Sequence, residues 1–265
     1  MQKNLNNLYL KSFIRCKRKA WLDYQGNKSQ RIWSPHQSIE IIKRYKTFYK
    51  LSDGDLYSGE KACKRGSSGV IGLKARSKVI NNINTEMQPQ LLKKVGGHSK
   101  WGEYKYIPVV YKLGHRTTKE HLFDLAFSSI LLEPFQEAKI EKGLVISNFS
   151  NRINIEKIDL NPRLRKKVIH TFLNLNEYLK RSIPDITEDR KKCTICSWQK
   201  FCDTEAKDNG YLTDIDGIGS KTALFLQKNG ISNIKELAAT KKIDLGKKLF
   251  QFKEQRFEKA SKFIK

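Results

Sequence analysis

The feature that most constrains the fold is an alternation of strand-like and helical segments in the middle of the chain. Strand-like segments cover residues 70–80, 104–113, 144–147 and 153–158, and amphipathic helical patterns cover 118–133 and 162–181. Pro162 opens the last helix and Pro184 follows it, which is the usual punctuation of a helix. Helices that flank a central group of strands predict an α/β core.

Helical patterns stand at both ends of this core. Residues 8–25 and 37–50 are predicted helices, with a Gly/Ser-rich loop at 51–68. From Leu212 onward the pattern is purely helical. We therefore predict two domains, an α/β domain over residues 1–208 and a small all-α domain over 209–265.

The chain is strongly basic without being disordered in composition. It carries 52 Lys and Arg against 27 Asp and Glu over 265 residues, a net charge of +25, yet 38% of its residues are hydrophobic. No segment is apolar enough for a membrane span or a secretory signal, so we expect a cytoplasmic protein with reduced cysteines and no membrane partner.

Two clusters of positive charge favour a polyanionic partner. Residues 1–50 hold twelve Lys and Arg against two acidic residues, and residues 241–265 hold nine against three. Such fields attract nucleic acid through counterion release. The alternative is a solvated lysine-rich surface with no ligand.

Three cysteines in ten residues indicate a metal site. Cys193, Cys196 and Cys202 form a CxxC-x5-C pattern, and Cys16 can supply the fourth thiolate. Four thiolates hold either a structural zinc ion or an iron–sulfur cluster, whereas the alternative is a set of ordinary buried thiols. Cys63 lies in the loop segment and is predicted to be a free thiol.

The cysteines and the residues around them resemble those of a known protein family. A lone cysteine in Ser12-Phe-Ile-Arg-Cys16-Lys-Arg-Lys-Ala-Trp-Leu22, with Cys193-Thr-Ile-Cys-Ser-Trp-Gln-Lys-Phe-Cys202, resembles the iron–sulfur RecB-like nucleases of the PD-(D/E)XK superfamily, which include CRISPR-associated exonucleases. The resemblance covers about residues 8–208. It implies a restriction-endonuclease-like α/β core and a [4Fe–4S] cluster, held by these four cysteines, that staples the ends of the domain.

The family's catalytic positions are degenerate in this chain. The family places an Asp and an (Asp/Glu)-x-Lys pair on adjacent strands, where the acids hold Mg²⁺ or Mn²⁺. By resemblance, Lys112 matches the lysine, and Val110 and Lys78 stand at the two acid positions. The family also has a helix with a Gln-x-x-x-Tyr motif, and Asp124 stands on the segment that resembles this helix. Without carboxylates the site cannot hold a hard divalent cation, and the ammonium of Lys78 is expected where the metal would lie.

A helix–hairpin–helix motif follows the α/β part. Gly-Ile-Gly at residues 217–219 is flanked by apolar residues that we expect to pack the hairpin: Ile215, Ala223, Leu224 and Leu226. Backbone amides at the start of the second helix can bind a DNA phosphate, so the predicted DNA-binding residues are Gly217, Ile218, Gly219, Ser220, Lys221 and Thr222. The alternative is a plain helical turn capped by glycine.

These observations favour a DNA-binding pseudonuclease of repair, recombination or processing. We expect it to engage DNA phosphates without sequence specificity, through the basic N-terminal helix, the remnant pocket and the hairpin. One alternative is an active Mg²⁺- or Mn²⁺-dependent exonuclease with a rearranged site around Glu103, Asp124 and Lys112. Another is an iron–sulfur scaffold for protein partners in a DNA-processing complex.

Overall fold

The computed structural model describes residues 3–33, 35–149, 152–187, 190–215 and 217–241, together with residues 244, 246, 247 and 250. The chain divides into two compact units: residues 1–28 with 33–184, and residues 29–32 with 185–265. The cysteine segment therefore lies with the C-terminal helices in the second unit, whereas the sequence assigned it to the end of the first domain.

The first unit holds all of the strands that the described residues form. In chain order the helices of both units are α1 (Asn7–Arg15), α2 (Lys17–Gln25), α3 (Pro35–Leu51), α4 (Gly59–Arg65), α5 (Lys119–Gln136), α6 (Pro162–Leu179), α7 (Gln199–Asp208), α8 (Ser220–Lys228) and α9 (Ile234–Ala239). The strands are β1 (Leu5–Asn6), β2 (Leu56–Ser58), β3 (Gly69–Ile71), β4 (Ala75–Ser77), β5 (Thr85–Met87), β6 (Leu91–Ser99), β7 (Gly102–Tyr111), β8 (Lys142–Phe149) and β9 (Arg152–Asp159).

A six-stranded mixed sheet forms the centre of this unit. Its strand order is β2-β3-β6-β7-β8-β9. The hairpin β6–β7 is antiparallel, β7 and β8 are parallel, and α5 connects those two strands. Parallel neighbours need such a crossover, which places the N-terminus of α5 near the C-terminal end of β7.

Helices cover both faces of the sheet. Val110 and Val145 point to the face where α1, α5 and α6 pack, in a core that includes Phe127 and Phe172. Neighbouring residues on the same strands, such as Tyr111, point to the other face and form a smaller core with Phe48 of α3. This alternation is the period-2 pattern of a strand that is buried on both faces, and the predicted α/β class is confirmed.

A second, three-stranded sheet has the order β1-β5-β4. The strand predicted over residues 70–80 is divided between the two sheets, because β3 belongs to the large sheet and β4 to the small one. Our assignment of this segment as the strand beside β7 was wrong, because the neighbours of β7 are β6 and β8. The sequence analysis missed β6, whose residues Gly96 and Gly97 weaken its strand pattern.

The predicted helix over residues 8–25 is broken in the middle. Cys16 has an extended backbone, with φ −159° and ψ 122°, and separates α1 from α2. Its Sγ accepts a hydrogen bond from the backbone N–H of Lys19 at 3.4 Å, which caps α2. The two short helices therefore pack as a corner rather than as one rod.

The second unit contains α7, α8 and α9. Leu212, Ala223, Leu226 and Ile231 form its small core, with Ile218 packed against them. Leu224 is 47% exposed, so the expectation that it packs the hairpin was wrong. The reason is its place on α8, between the inward-facing positions 223 and 226.

None of the helices in the described part of the chain is both long enough and apolar enough to cross a membrane.

Candidate functional site

Lys112 directly follows β7 and is the residue that the sequence resemblance predicts as a catalytic lysine. Its side chain is 1% exposed, and its Nζ forms an ion pair with Glu156 of β9. Nζ also donates to the backbone oxygen of His115 at 2.9 Å and to Oγ1 of Thr117 at 3.1 Å. A lysine ammonium has three N–H donors, so these three acceptors satisfy it.

Glu156 completes this polar group. Its second carboxylate oxygen accepts from the hydroxyl of Thr117. The hydrogen bonds from Lys112 and then Thr117 lower the pKa of Glu156, so the carboxylate stays ionised beside the buried ammonium. Lys112 is thus held by a carboxylate from β9, two strands away from β7 in the sheet, and none of its donors is left for a phosphate.

Asp124 lies one turn inside α5 and is fully buried. One carboxylate oxygen accepts from the side-chain amide of Asn7 at 2.7 Å, and the other accepts from the side-chain amide of Gln90 at 3.4 Å. Lys11 of α1 places its Nζ 3.2 Å from that second oxygen. Both oxygens are therefore engaged by protein donors, and the cation beside the carboxylate is an ammonium.

Asn7 ties this group to the backbone. Its side-chain amide donates to the backbone oxygen of Gln88 at 3.0 Å, and its side-chain oxygen accepts the Gln88 N–H at 3.1 Å. Asp124 consequently joins α5, α1 and the segment before β6 in one network. A carboxylate held this way stabilises helix packing.

His121 lies between the two polar groups on the first turn of α5. Its Nδ1 accepts the backbone N–H of Thr118 at 3.0 Å, which caps the helix. Burial, and then the charge of Lys11, lower the pKa of His121 from its ordinary 6.5 to about 4. The imidazole is therefore neutral at physiological pH and acts as an acceptor.

The residues predicted at the two acid positions lie apart from each other. Val110 is 2% exposed and packs in the core below α5. Lys78 is exposed just after β4, in the small sheet. The expectation that its ammonium replaces the metal was wrong, because Lys78 does not follow a strand next to β7. The ammonium that lies beside Asp124 belongs to Lys11.

Gln90 lies beside the C-terminal end of β7. It immediately precedes β6, and its side-chain oxygen accepts the backbone N–H of Tyr111 at 3.0 Å. An uncharged amide therefore lies between the end of β7 and Asp124. This residue was missed because β6 itself was missed.

Glu103 lies at the far end of β7. It is nine residues from Lys112, which corresponds to about 30 Å of extended strand. Its exposed side chain pairs with His98 at 3.2 Å. The structure does not bring Glu103 to Lys112 or Asp124, and the rearranged site built on these three residues loses its first member.

The N-terminal basic helix has fewer available cations than its sequence suggests. Lys11 is paired with Asp124, and Lys19 is paired with Asp23. Arg18 is 3% exposed and donates to the backbone oxygen of Pro184. Three of the charges that we expected to contact DNA are therefore used within the fold.

The cysteines of the CxxC-x5-C pattern lie on a turn and on α7. Cys193, Cys196 and Cys202 are each partly exposed, and the Cys196 N–H donates to the backbone oxygen of Cys193 at 2.8 Å. In the part of the chain that the structure describes, no group of three or more His, Cys, Asp or Glu side chains is assembled to hold a metal. The donor set is nevertheless made of thiols, the ligands that iron–sulfur clusters and zinc take.

Cys63 lies in α4 rather than in a loop. It is fully buried in the main core, and burial raises the pKa of its thiol to about 12. Such a thiol is an inert packing group.

The Gly-Ile-Gly segment forms a tight turn before α8. Gly217 has a left-handed backbone with φ +86°, a conformation that favours glycine, and Gly219 is the N-cap of the helix. Ser220 and Thr222 are partly exposed and Lys221 is exposed, so the first turn of α8 presents its N–H groups and one cation to solvent. Asp216 and most of the basic C-terminal residues, including Lys248, lie outside the described residues.

Glu156, Lys11, Gln90 and Asn7 were not predicted as members of the site. Glu156 had a usable signal, since an acidic residue in the middle of a predicted strand faces either solvent or a partner. Asn7 and Lys11 gave none, because their roles depend on the packing of α1 against α5.

Comparisons with known proteins are sparse. No protein-family model matches the sequence, and no curated protein matches it. Eleven chains among solved structures do match. One, described as "Crystal structure of SSO0001", is 11% identical and has a TM-score of 0.49 over 77% of this chain and 87% of that chain. A similarity of this size supports no argument about family or function.

Proposed function

We propose that this protein is a degenerate RecB-like nuclease of the PD-(D/E)XK superfamily, which binds DNA and does not cleave it. One observation carries the proposal. Lys112 and Asp124 are the two ionisable residues near the C-terminal end of β7 that resemble the family's catalytic residues. Both are satisfied by protein partners.

The chemistry of the site supports the loss of cleavage. A hard divalent cation needs several oxygen ligands, and carboxylates supply most of the charge that holds it. Here Asp124 is neutralised by Lys11, Val110 is a buried core residue, and the residue beside Tyr111 of β7 is the uncharged Gln90. To bind at Asp124, a metal would have to displace the ammonium of Lys11 from a fully buried carboxylate.

DNA binding is supported by charge and by the turn at residues 217–219. The net charge of +25 supplies a long-range attraction for phosphates. The exposed first turn of α8 offers backbone donors and Lys221 to a phosphate without reading bases. In this proposal the protein holds DNA during repair, recombination or processing, as one component of a larger complex.

The same proposal includes a [4Fe–4S] cluster. The inference of this cluster rests on the cysteine pattern and on its resemblance to that of the iron–sulfur RecB-like nucleases. Cys16, Cys193, Cys196 and Cys202 would hold it, and its contribution would be to stabilise the fold.

Fluorescence anisotropy with labelled duplex and single-stranded DNA tests the binding half of the proposal. If about six phosphates are contacted, affinity for duplex should fall on the order of 10³-fold from 50 to 200 mM salt. Lys221→Gln should weaken binding, and Lys228→Gln is the matched control, because both lysines are exposed on α8 but only Lys221 lies at its N-terminus. A protein scaffold without a DNA role would bind neither DNA.

A divergent active nuclease is the second candidate, and one observation favours it. The carboxylate of Glu156 lies beside Lys112 and keeps 37% of its side-chain surface exposed, so a carboxylate–lysine pair does exist at the end of the sheet. DNA cleavage in Mg²⁺ or Mn²⁺ that is lost in Glu156→Gln would establish this candidate and refute the degenerate one.

A further inference from the structure

Helix α3 exposes most of its surface. It packs on the sheet through Phe48 and the buried hydroxyl of Thr47 near its C-terminal end. On its other side Ile42, Tyr45 and Tyr49 are 55%, 51% and 52% exposed. Large apolar side chains concentrated in this way mark an interaction surface.

Ile42, Tyr45 and Tyr49 form one stripe with the half-buried Ser38, whereas the exposed Ile39 and Ile41 of α3 lie off it. Ser38, Ile42, Tyr45 and Tyr49 recur at intervals of four, three and four residues, which places them on one face of the helix. Trp33 extends this face, because its indole N–H donates to the hydroxyl of Ser38 at 2.7 Å while its ring stays 56% exposed. Three aromatic rings are therefore associated with one side of α3.

Cations border the stripe. Lys43, Lys46 and Lys50 are exposed and occupy the adjacent helix face, about 100° around the axis from the aromatic residues. Glu40 is the one acidic residue in the α3 sequence. The surface thus combines flat rings with positive charge, which is the combination that binds single-stranded nucleic acid.

We propose that the aromatic–cationic face of α3 binds single-stranded DNA, with unpaired bases on the rings of Trp33, Tyr45 and Tyr49 and phosphates beside the lysines. This inference rests on the proposed DNA-binding function and names the strand form that the first unit takes. Charge complementarity selects a polyanion as the occupant over an apolar protein surface.

The spacing of the rings suits a single strand. Tyr45 and Tyr49 are four residues apart, a rise of about 6 Å along the helix. Bases in a duplex are about 3.4 Å apart and have their faces covered by their neighbours. An extended strand offers separate base faces, and stacking on aromatic side chains tolerates any base.

The test measures the affinity of the whole protein for a labelled thymidine oligomer and for a duplex of equal length. Tyr45→Ala with Tyr49→Ala should weaken single-strand binding on the order of 10-fold for each ring and change duplex binding by less than about 2-fold. Tyr45→Phe with Tyr49→Phe should bind like the wild type. Since both tyrosines are exposed, the fold is expected to persist, which circular dichroism checks.

Tyr57→Ala is the matched control. Tyr57 is also exposed, at 49%, but it lies outside α3 and the guanidinium of Arg65 covers its ring at 3.8 Å from the centroid. Its loss should leave single-strand affinity unchanged. Lys46→Gln should reduce the slope of log affinity against log salt by about 0.7 if that lysine contacts one phosphate.

Three outcomes would overturn the inference. If the alanine pair binds the oligomer like the wild type while Lys221→Gln still weakens duplex binding, the α3 surface is not the single-strand site and the proposed function stands. If the alanine pair instead abolishes self-association in sedimentation without changing DNA affinity, the face binds a second copy. If the wild type binds neither DNA, the proposed function itself is refuted.

Discussion

The network around Asp124 predicts a large loss of stability when this carboxylate is removed. Asp124 is fully buried and accepts hydrogen bonds from Asn7 and Gln90, and it pairs with Lys11. In Asp124→Ala the ammonium of Lys11 and the amide of Gln90 lose their acceptor inside the fold. We expect the free energy of unfolding to fall because buried donors are left unsatisfied.

The magnitude follows from the type of contact. Removing one partner of a buried ion pair costs about 3–5 kcal/mol. Lys11 keeps 23% of its side chain exposed and can turn toward water, and Asn7 keeps its bonds to Gln88, so the lower part of this range applies, about 3 kcal/mol. For a unit of this size that is a fall of about 6–12 °C in Tm.

Urea unfolding followed by circular dichroism measures this loss. Asp159→Ala is the control, since Asp159 is 75% exposed and lies 4.0 Å from Lys142, a contact worth at most about 1 kcal/mol. Lys11→Met, Asp124→Asn and the double variant form a double-mutant cycle with the wild type. Its coupling energy measures the interaction between Lys11 and Asp124.

The opposite result would refute the reasoning. A catalytic carboxylate that holds a metal in an open site is not needed for packing, so Asp124→Ala would leave stability within about 0.5 kcal/mol of the wild type and would abolish metal binding instead. A coupling energy near zero would likewise show that Lys11 and Asp124 do not act as a pair.

Further predictions concern other parts of the first unit and the cysteines. The folded-state pKa of His121 is lowered to about 4, so stability should be full above pH 6.5 and fall between pH 6.5 and about 4; urea midpoints measured against pH should lose this dependence in His121→Gln. Gly69→Ala should lower stability by about 1–3 kcal/mol in the same assay, because its Cβ would lie 2.0 Å from Oγ of Ser52. Cys193→Ser should remove bound iron and visible absorbance from protein purified without oxygen, whereas Cys63→Ala should keep both; a colourless wild type that contains zinc would contradict the cluster.

Much of the fold was predictable because its long elements carry strong periodic patterns. The predicted strand over residues 104–113 corresponds to β7, and the predicted helices over 118–133 and 162–181 correspond to α5 and α6. These elements are buried on one or two faces, so their apolar residues repeat regularly. Elements with short or irregular patterns were missed, and β6 is the clearest example.

The site was only partly predictable because it depends on contacts between distant segments. Lys112 and Asp124 could be found from their local motifs, which lie on β7 and α5. Their partners Glu156 and Lys11 are 44 residues and more than a hundred residues away along the chain. No local pattern shows which carboxylate meets which lysine, and this pairing decides whether the residues are available to a metal or a phosphate.

The most direct test of the account is a cleavage assay at full DNA occupancy. Excess protein is incubated with labelled single-stranded and duplex DNA in Mg²⁺ or Mn²⁺, anisotropy verifies that the DNA is bound, and Lys112→Ala and Glu156→Gln are run beside the wild type. The account predicts salt-sensitive binding with intact DNA in all three proteins. Cleavage by the wild type that either substitution abolishes would contradict it.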